Sequence, residues 1–225
     1  MVRLILFDID GTLIRTAGAG VGAFIQALAD EFGIRDGMDR LRFAGRTDTS
    51  LVREILHAHS IHATTEHLQR FFDRYVFLLE ERLQRLGGEI LPGVLSFLDG
   101  LQQLRPVPVV GLLTGNIRLG AEIKLRHFGL WDRFQIGAFA DDAEDRAVIA
   151  ALARRRGERR LGHPLHDNEI LVVGDTPHDI ECARAIGARI LAVATGEFGL
   201  DDLRLHRPCW LVQNLGEIAP ELVCA

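Results

Sequence analysis

Five short runs of almost unbroken hydrophobicity, at residues 2–7, 107–113, 134–139, 170–173 and 190–194, constrain this chain more than any other feature. A sixth, at 210–212, is weaker. A strand with one wet face alternates apolar and polar residues, whereas a strand covered by helices on both faces does not. Helical patterns separate most of the runs. Leu95, Leu98, Leu101 and Leu104 follow Pro92-Gly93, while Leu119, Ile123 and Leu125 precede Phe128-Gly129. Ile180, Ala183 and Ile186 precede Gly187. These glycines stand where helices stop. Strands alternating with helices predict an α/β fold, a Rossmann-like doubly wound parallel sheet.

One stretch breaks the alternation. Between Thr16 and Gly88 there is no strand pattern, only helical stretches at 22–32, 49–57 and 65–86. The last places Leu68, Phe71, Phe72, Tyr75, Leu79, Leu83 and Leu86 on one broad face, with Thr64 or Thr65 as N-cap. The expected organisation is a core of residues 1–15 and 89–225 carrying an inserted α-helical cap, 16–88. Gly18 to Gly22 and Gly87-Gly88 supply hinges.

Composition narrows the setting. At 225 residues the chain can bury a sizeable core, and no apolar run nears the roughly 20 residues needed to span a bilayer. The run at 2–7 is too short, and too soon followed by acids, for a signal peptide. Three cysteines without metal-ligand spacing favour a reducing compartment, so a cytoplasmic location is expected. A net charge of −5 argues against nucleic acid or membrane as partner. Monomer and dimer are both open.

In such a sheet ligands gather beyond the carboxyl ends of the strands. There the polar residues crowd: Asp8-Ile9-Asp10-Gly11-Thr12, Thr114-Gly115-Asn116, Asp141-Asp142, and Gly174-Asp175-Thr176-Pro177-His178-Asp179. Converging carboxylates without matching bases imply a cation, and oxygen ligands of this kind suit Mg²⁺ bound together with a substrate phosphate. Asp8 and Asp10, two apart, share one side of an extended backbone. One can attack phosphorus while the other protonates the leaving oxygen and later activates water. Gly11 lets the backbone approach a ligand, and Thr114-Gly115-Asn116 offers a hydroxyl and N–H groups at a helix start. Asp175 and Asp179 fall one helical turn apart if Pro177 begins a helix.

These motifs resemble those of the haloacid dehalogenase superfamily: DxDGTL at Asp8 to Leu13, the second motif at Thr114, and GDxxxD at Gly174 to Asp179. Motif order and the insertion resemble the subgroup with a C1 helical cap, typified by phosphoglycolate phosphatases and β-phosphoglucomutases. The resemblance implies Asp8 as nucleophile and Asp10 as acid/base. It also implies Mg²⁺ on the Asp8 carboxylate, the Asp10 carbonyl and Asp175, with Asp179 nearby. Gly11, Thr12, Gly115 and Asn116 would hold the phosphoryl group of a small phosphorylated metabolite, phosphoglycolate being the single best choice.

The third motif departs from the family pattern, which has a lysine near the start of the helix after the third strand. Here stands Asp145-Arg146-Ala147, and Lys124, the chain's only lysine, falls before that strand. Arg146 is therefore the candidate cation, and Arg146→Ala is expected to lower turnover without unfolding. Gly45-Arg46-Thr47 resembles the family's cap substrate loop, making Arg46 a candidate substrate contact. His57, His59 and His62 share no helical face and do not suit a metal site. Arg154 to Arg156 with Arg159-Arg160 reads as a solvated helix end. Among other activities, Asp10 argues against a dehalogenase, and a cap without lysine argues against Schiff-base phosphonate hydrolysis. A sugar phosphomutase and a catalytically idle binding module remain alternatives to a phosphatase.

Overall fold

The computed structural model describes residues 1–36 and 42–225. Its sheet contains β1 (Leu4–Phe7), β4 (Val109–Leu113), β5 (Ile136–Ala138), β6 (Ile170–Gly174), β7 (Arg189–Val193) and β8 (Trp210–Val212). All neighbours are parallel, in the order β5-β4-β1-β6-β7-β8. The first strand therefore lies inside the sheet, between β4 and β6. Phe7 is level with Leu112 on one side and Val173 on the other, so the three loops that follow open at one height.

The apolar runs do not alternate because both faces are covered. Ile5 and Phe7 enter one core with Val94, Phe97, Leu101, Ala121 and Leu125. These come from α4 (Val94–Leu101) and α5 (Arg118–His127). Leu4 and Leu6 enter the other, with residues of α6 (Arg146–Leu161), α7 (Pro177–Ala185) and α8 (Leu200–Leu205). At roughly 25 cal/mol per Å² of buried apolar surface, these faces dominate the stability of the sheet. A short helix, α9 (Pro220–Cys224), returns to the first face, where Val2 N donates to the carbonyl of Cys224.

The insertion forms a third cluster. Its helices are α1 (Ala19–Phe32), α2 (Asp48–Ala58) and α3 (Thr65–Leu86). Phe24 meets Phe71 edge-on at 4.8 Å, and Leu28, Leu51, Ile55, Leu79 and Leu83 close around them. Thr64, not Thr65, is the cap of α3: its side chain accepts from His67 N at 3.1 Å. Two residues on each side of the insertion, β2 (Ile14–Arg15) and β3 (Glu89–Ile90), pair antiparallel across its base. Strands this short leave no periodic signal in a sequence. Among the described residues no helix is long and apolar enough to cross a membrane.

Candidate active site

Asp8 follows the last residue of β1 and is buried, its N–H donating to the Val173 carbonyl at 3.0 Å. The chain then turns tightly over the end of β6. Gly11 adopts φ +83°, and a Cβ there would collide with the Asp175 carboxylate, so only glycine admits this approach. Thr12, expected to touch substrate, is instead buried and donates its hydroxyl to Asp175 Oδ1 at 2.8 Å. It holds a carboxylate in place.

Asp175 and Asp179 arrive from β6 and α7. Pro177 occupies the first turn of α7, and Thr176 caps it, its N–H and hydroxyl donating to Asp179 Oδ2 at 3.0 and 2.7 Å. The other oxygen of Asp179 accepts from Arg146 at 2.5 Å. Both partners are withdrawn from water, with side chains 11% and 1% exposed. Oxygens of Asp8, Asp175 and Asp179 lie within 4.8 Å of one another. Burial, then the neighbouring Asp179, push the Asp8 carboxyl up to about 7, against the pull of Arg146 and Thr114, with Asp10 adding to the rise. Asp175 is raised well above its ordinary value by burial, then by Asp179 and Asp8, with Thr12 opposing. Three buried carboxylates against one guanidinium form a donor set that suits a hard divalent cation.

A second cation stands opposite. Lys124 is buried on α5, donating from Nζ to Asp10 Oδ2 and to Asn116 Oδ1, both at 2.6 Å. Asn116 Nδ2 donates in turn to the same Asp10 oxygen at 2.8 Å and to Thr114 Oγ1 at 3.0 Å. Burial disfavours the ammonium, but Asp10, Tyr75 and Asp48 outweigh it, so its pKa stands above that of an ordinary lysine. Sequence order alone hides this residue, because it precedes the third strand. A signal was nonetheless present: Gly120, Ala121, Lys124 and Leu125 share the buried face of α5. A lone lysine on an apolar helical face needs a buried partner.

The insertion closes the site from above. Asp48 N donates to the Gly115 carbonyl at 2.7 Å, and Ile117 N donates to Asp48 Oδ2 at 2.8 Å. Thr49 and Thr47 donate their hydroxyls to the carbonyls of Ala140 and Glu144. Gly115 is needed here, because a Cβ would strike the Arg46 carbonyl. Burial pushes Asp48 up to about 6, with Lys124 and the Ile117 N–H opposing. Beneath this lid is a cleft of about 340 Å³, lined by Asp8, Asp10, Thr114, Gly115, Asn116, Lys124, Arg146 and Asp175, and by Phe24, Phe43, Leu51 and Tyr75 of the insertion.

Other expectations are redrawn. Arg46 borders the cleft, but its guanidinium binds Glu54 of α2 at 2.5 Å. Asp141 and Asp142 do not join the site: the first accepts from Arg118 N, the second from Phe139 N and Arg156. Arg154 and Arg156 are anchors rather than a solvated run, Arg154 donating to the carbonyls of Ile186 and Leu165. Among the described residues the only group with the geometry of a metal site is Asp8, Asp175 and Asp179, with no histidine in it.

The chain is similar to known proteins. Residues 5–193 match the haloacid dehalogenase-like hydrolase family. The chain is 28% identical to the phosphoglycolate phosphatase of Synechococcus elongatus, over 96% of this chain and 95% of that one. It is 26% identical to the probable phosphatase IndB of Dickeya dadantii, over 97% and 92%. A hydrolase from Pseudomonas syringae superposes with a TM-score of 0.75 over 99% of this chain and 98% of its own, at 23% identity, a likeness of fold. With the family matched along most of its length, this chain is an enzyme of the haloacid dehalogenase-like hydrolases.

Proposed function

We propose that the chain is a Mg²⁺-dependent phosphatase of a small phosphorylated metabolite, working through a phospho-aspartyl intermediate on Asp8. One observation carries this reading: a buried carboxylate at the end of an interior strand, with two further carboxylates and a guanidinium on one side and a clamped acid, Asp10, in the same cleft. Asp8, Asp175 and Asp179, with the Asp10 carbonyl, would hold the ion. When bound it would neutralise carboxylate and phosphoryl charge, which is most of what phosphoryl transfer requires.

The chain's own groups do the rest. An Asp8 oxygen forms the bond to phosphorus as the bond to the leaving oxygen breaks, and Asp10 gives that oxygen its proton. Asp10 then takes a proton from water as the water attacks phosphorus. The Asp8–phosphorus bond breaks, and inorganic phosphate leaves. Arg146 and the Thr114 hydroxyl balance charge beside Asp8. Gly115 and Asn116 shape the loop under the phosphoryl group. The cap, residues 16–88, excludes bulk water and sizes the leaving group.

Phosphoglycolate is the preferred substrate in this reading. The small cleft and the name of the Synechococcus relative support it. The test is phosphate release from a panel including phosphoglycolate, pyrophosphate and hexose phosphates, with Mg²⁺ and with EDTA. Asp8→Asn must abolish release. Transfer to a second sugar hydroxyl instead of water would replace the reading with a mutase, and no turnover of any ester would end it.

A further inference from the structure

The one lysine of this chain lies outside every motif quoted from the sequence, yet it lines the cleft. Its side chain is 5% exposed and its ammonium donates to Asp10 Oδ2 and Asn116 Oδ1. Asn116 donates to that same Asp10 oxygen. One oxygen of Asp10 is thus gripped twice, while its other oxygen has no bond from either residue. The grip comes from the far end of α5, eight residues beyond Asn116, so it reports the packing of a whole helix rather than of one loop. Gly20, at the first turn of α1, faces the same ammonium: a Cβ there would come within 3.4 Å of Nζ. Core helix, insertion and Asp10 meet at this one nitrogen.

From this geometry we propose that Lys124 is a positioning residue, clamping Oδ2 of Asp10 so that the other oxygen is held ready for both proton transfers. This rests on the phosphatase reading above. Arg146 serves Asp8 and Asp179, and Lys124 serves Asp10. The two cations are therefore not duplicates. A carboxylate free to rotate would spend most of its time misdirected, and misplacement of a proton-transfer group costs rate without loosening substrate. Lys124 does not touch the leaving group.

The test uses Lys124→Met, which keeps length and removes the donor, with para-nitrophenyl phosphate and an alkyl phosphate as probes. Nitrophenolate leaves without a proton, so attack by Asp8 survives in the variant, while hydrolysis of the phospho-aspartate, which needs Asp10, slows. The expected result is a kcat lower by on the order of 10²-fold, the usual worth of a placed acid or base. For the nitrophenyl ester kcat/KM stays within about threefold and KM falls along with kcat, because attack by Asp8 is untouched and only the second step slows. A burst of one nitrophenolate per active site precedes the slow steady state. In an Asp10→Asn background the same substitution adds nothing, because the group it acts through is gone. If Lys124→Met does not fold, Lys124→Leu, which likewise has no donor, is read the same way. A raised KM with unchanged kcat would make Lys124 a substrate contact and overturn the proposal, as would an undiminished effect in the Asp10→Asn background. A wild-type enzyme that forms no phospho-Asp8 would remove the underlying reading instead, a result visible before any lysine is changed.

Discussion

Replacing Asp8 by Asn should destroy activity and stabilise the metal-free protein. The cause is electrostatic. Burial and Asp179 raise the Asp8 carboxyl from 3.8 to about 7, so ionising it in the folded, metal-free chain costs on the order of 4 kcal/mol. That is a large share of the ~5–15 kcal/mol by which domains are stable. A carboxyl whose folded value is raised contributes stability that is fully present below about 3.8 and is lost as pH rises through about 7. The assay is urea unfolding in EDTA from pH 5 to pH 8. The wild-type midpoint should fall across this range. Asp8→Asn should fall less and should exceed wild type at pH 8, by at most that same order, with the two converging near pH 4. Asp48, raised to about 6, pulls both proteins the same way and cancels in the difference. Asp175 pushes the difference the same way, because loss of the Asp8 charge also relieves it. The carboxylates held below their ordinary range, Asp30, Asp142 and Glu169, titrate beneath the window. Added Mg²⁺ should restore wild type at pH 8 by binding the folded state alone, and should restore Asp8→Asn less. A wild-type midpoint flat from pH 5 to pH 8 in EDTA, or an Asp8→Asn protein weaker than wild type at pH 8, would refute the argument.

Arg146→Ala should lower phosphate release and also destabilise the metal-free fold by ~3–5 kcal/mol, because it leaves Asp179 buried without its cation. This revises the expectation that only turnover would suffer; parallel urea and phosphate assays decide it, and near-normal turnover would remove Arg146 from the site's chemistry. Gly115→Val should raise KM and lower kcat together, because its side chain pushes on the Arg46 carbonyl and holds the cap loop off the core; steady-state kinetics with an intact unfolding midpoint check it. With Ellman's reagent the native chain should show one fast thiol, the exposed Cys209, and three in denaturant. Burial raises Cys182 and Cys224 to about 11.

The sheet could be read in the sequence because two-sided burial writes itself as an unbroken apolar run, and all six runs became strands. Helix ends were readable where capping chemistry is local, as at Thr64 and Pro177, and less so at α1, which begins at Ala19 under glycines that hide its period. Asp8, Asp10 and Asp175 follow strand ends and Asp179 lies in the first turn of the helix after β6, so the parallel topology with that local helix start brings them together. What pattern could not supply was direction. Thr12 faces Asp175 rather than the cleft, and Asp141 and Asp142 turn to Arg118 and Arg156. Rotamers and partners decide such matters, and they depend on residues far away in the chain.

Lys124 is the sharpest case, and it follows from how helices carry side chains. Reading motifs by strand order treats each loop as the only source of functional groups. A helix leaving one strand end runs back along the sheet, so its later turns would normally lie far from the site. Here α5 spans Arg118–His127, about 15 Å, and its N-cap, Ile117, donates its N–H to Asp48 of the insertion. A four-carbon stem then covers much of the return distance, with its apolar length packed inside and its head among polar groups. Arginine could not replace it simply. A guanidinium is a planar fork suited to a carboxylate pair like that at Asp179, whereas Asp10 and Asn116 present two oxygens to a single point donor at 2.6 Å each. A chain that uses arginine for its other basic residues keeps lysine at the one position where geometry calls for a compact ammonium.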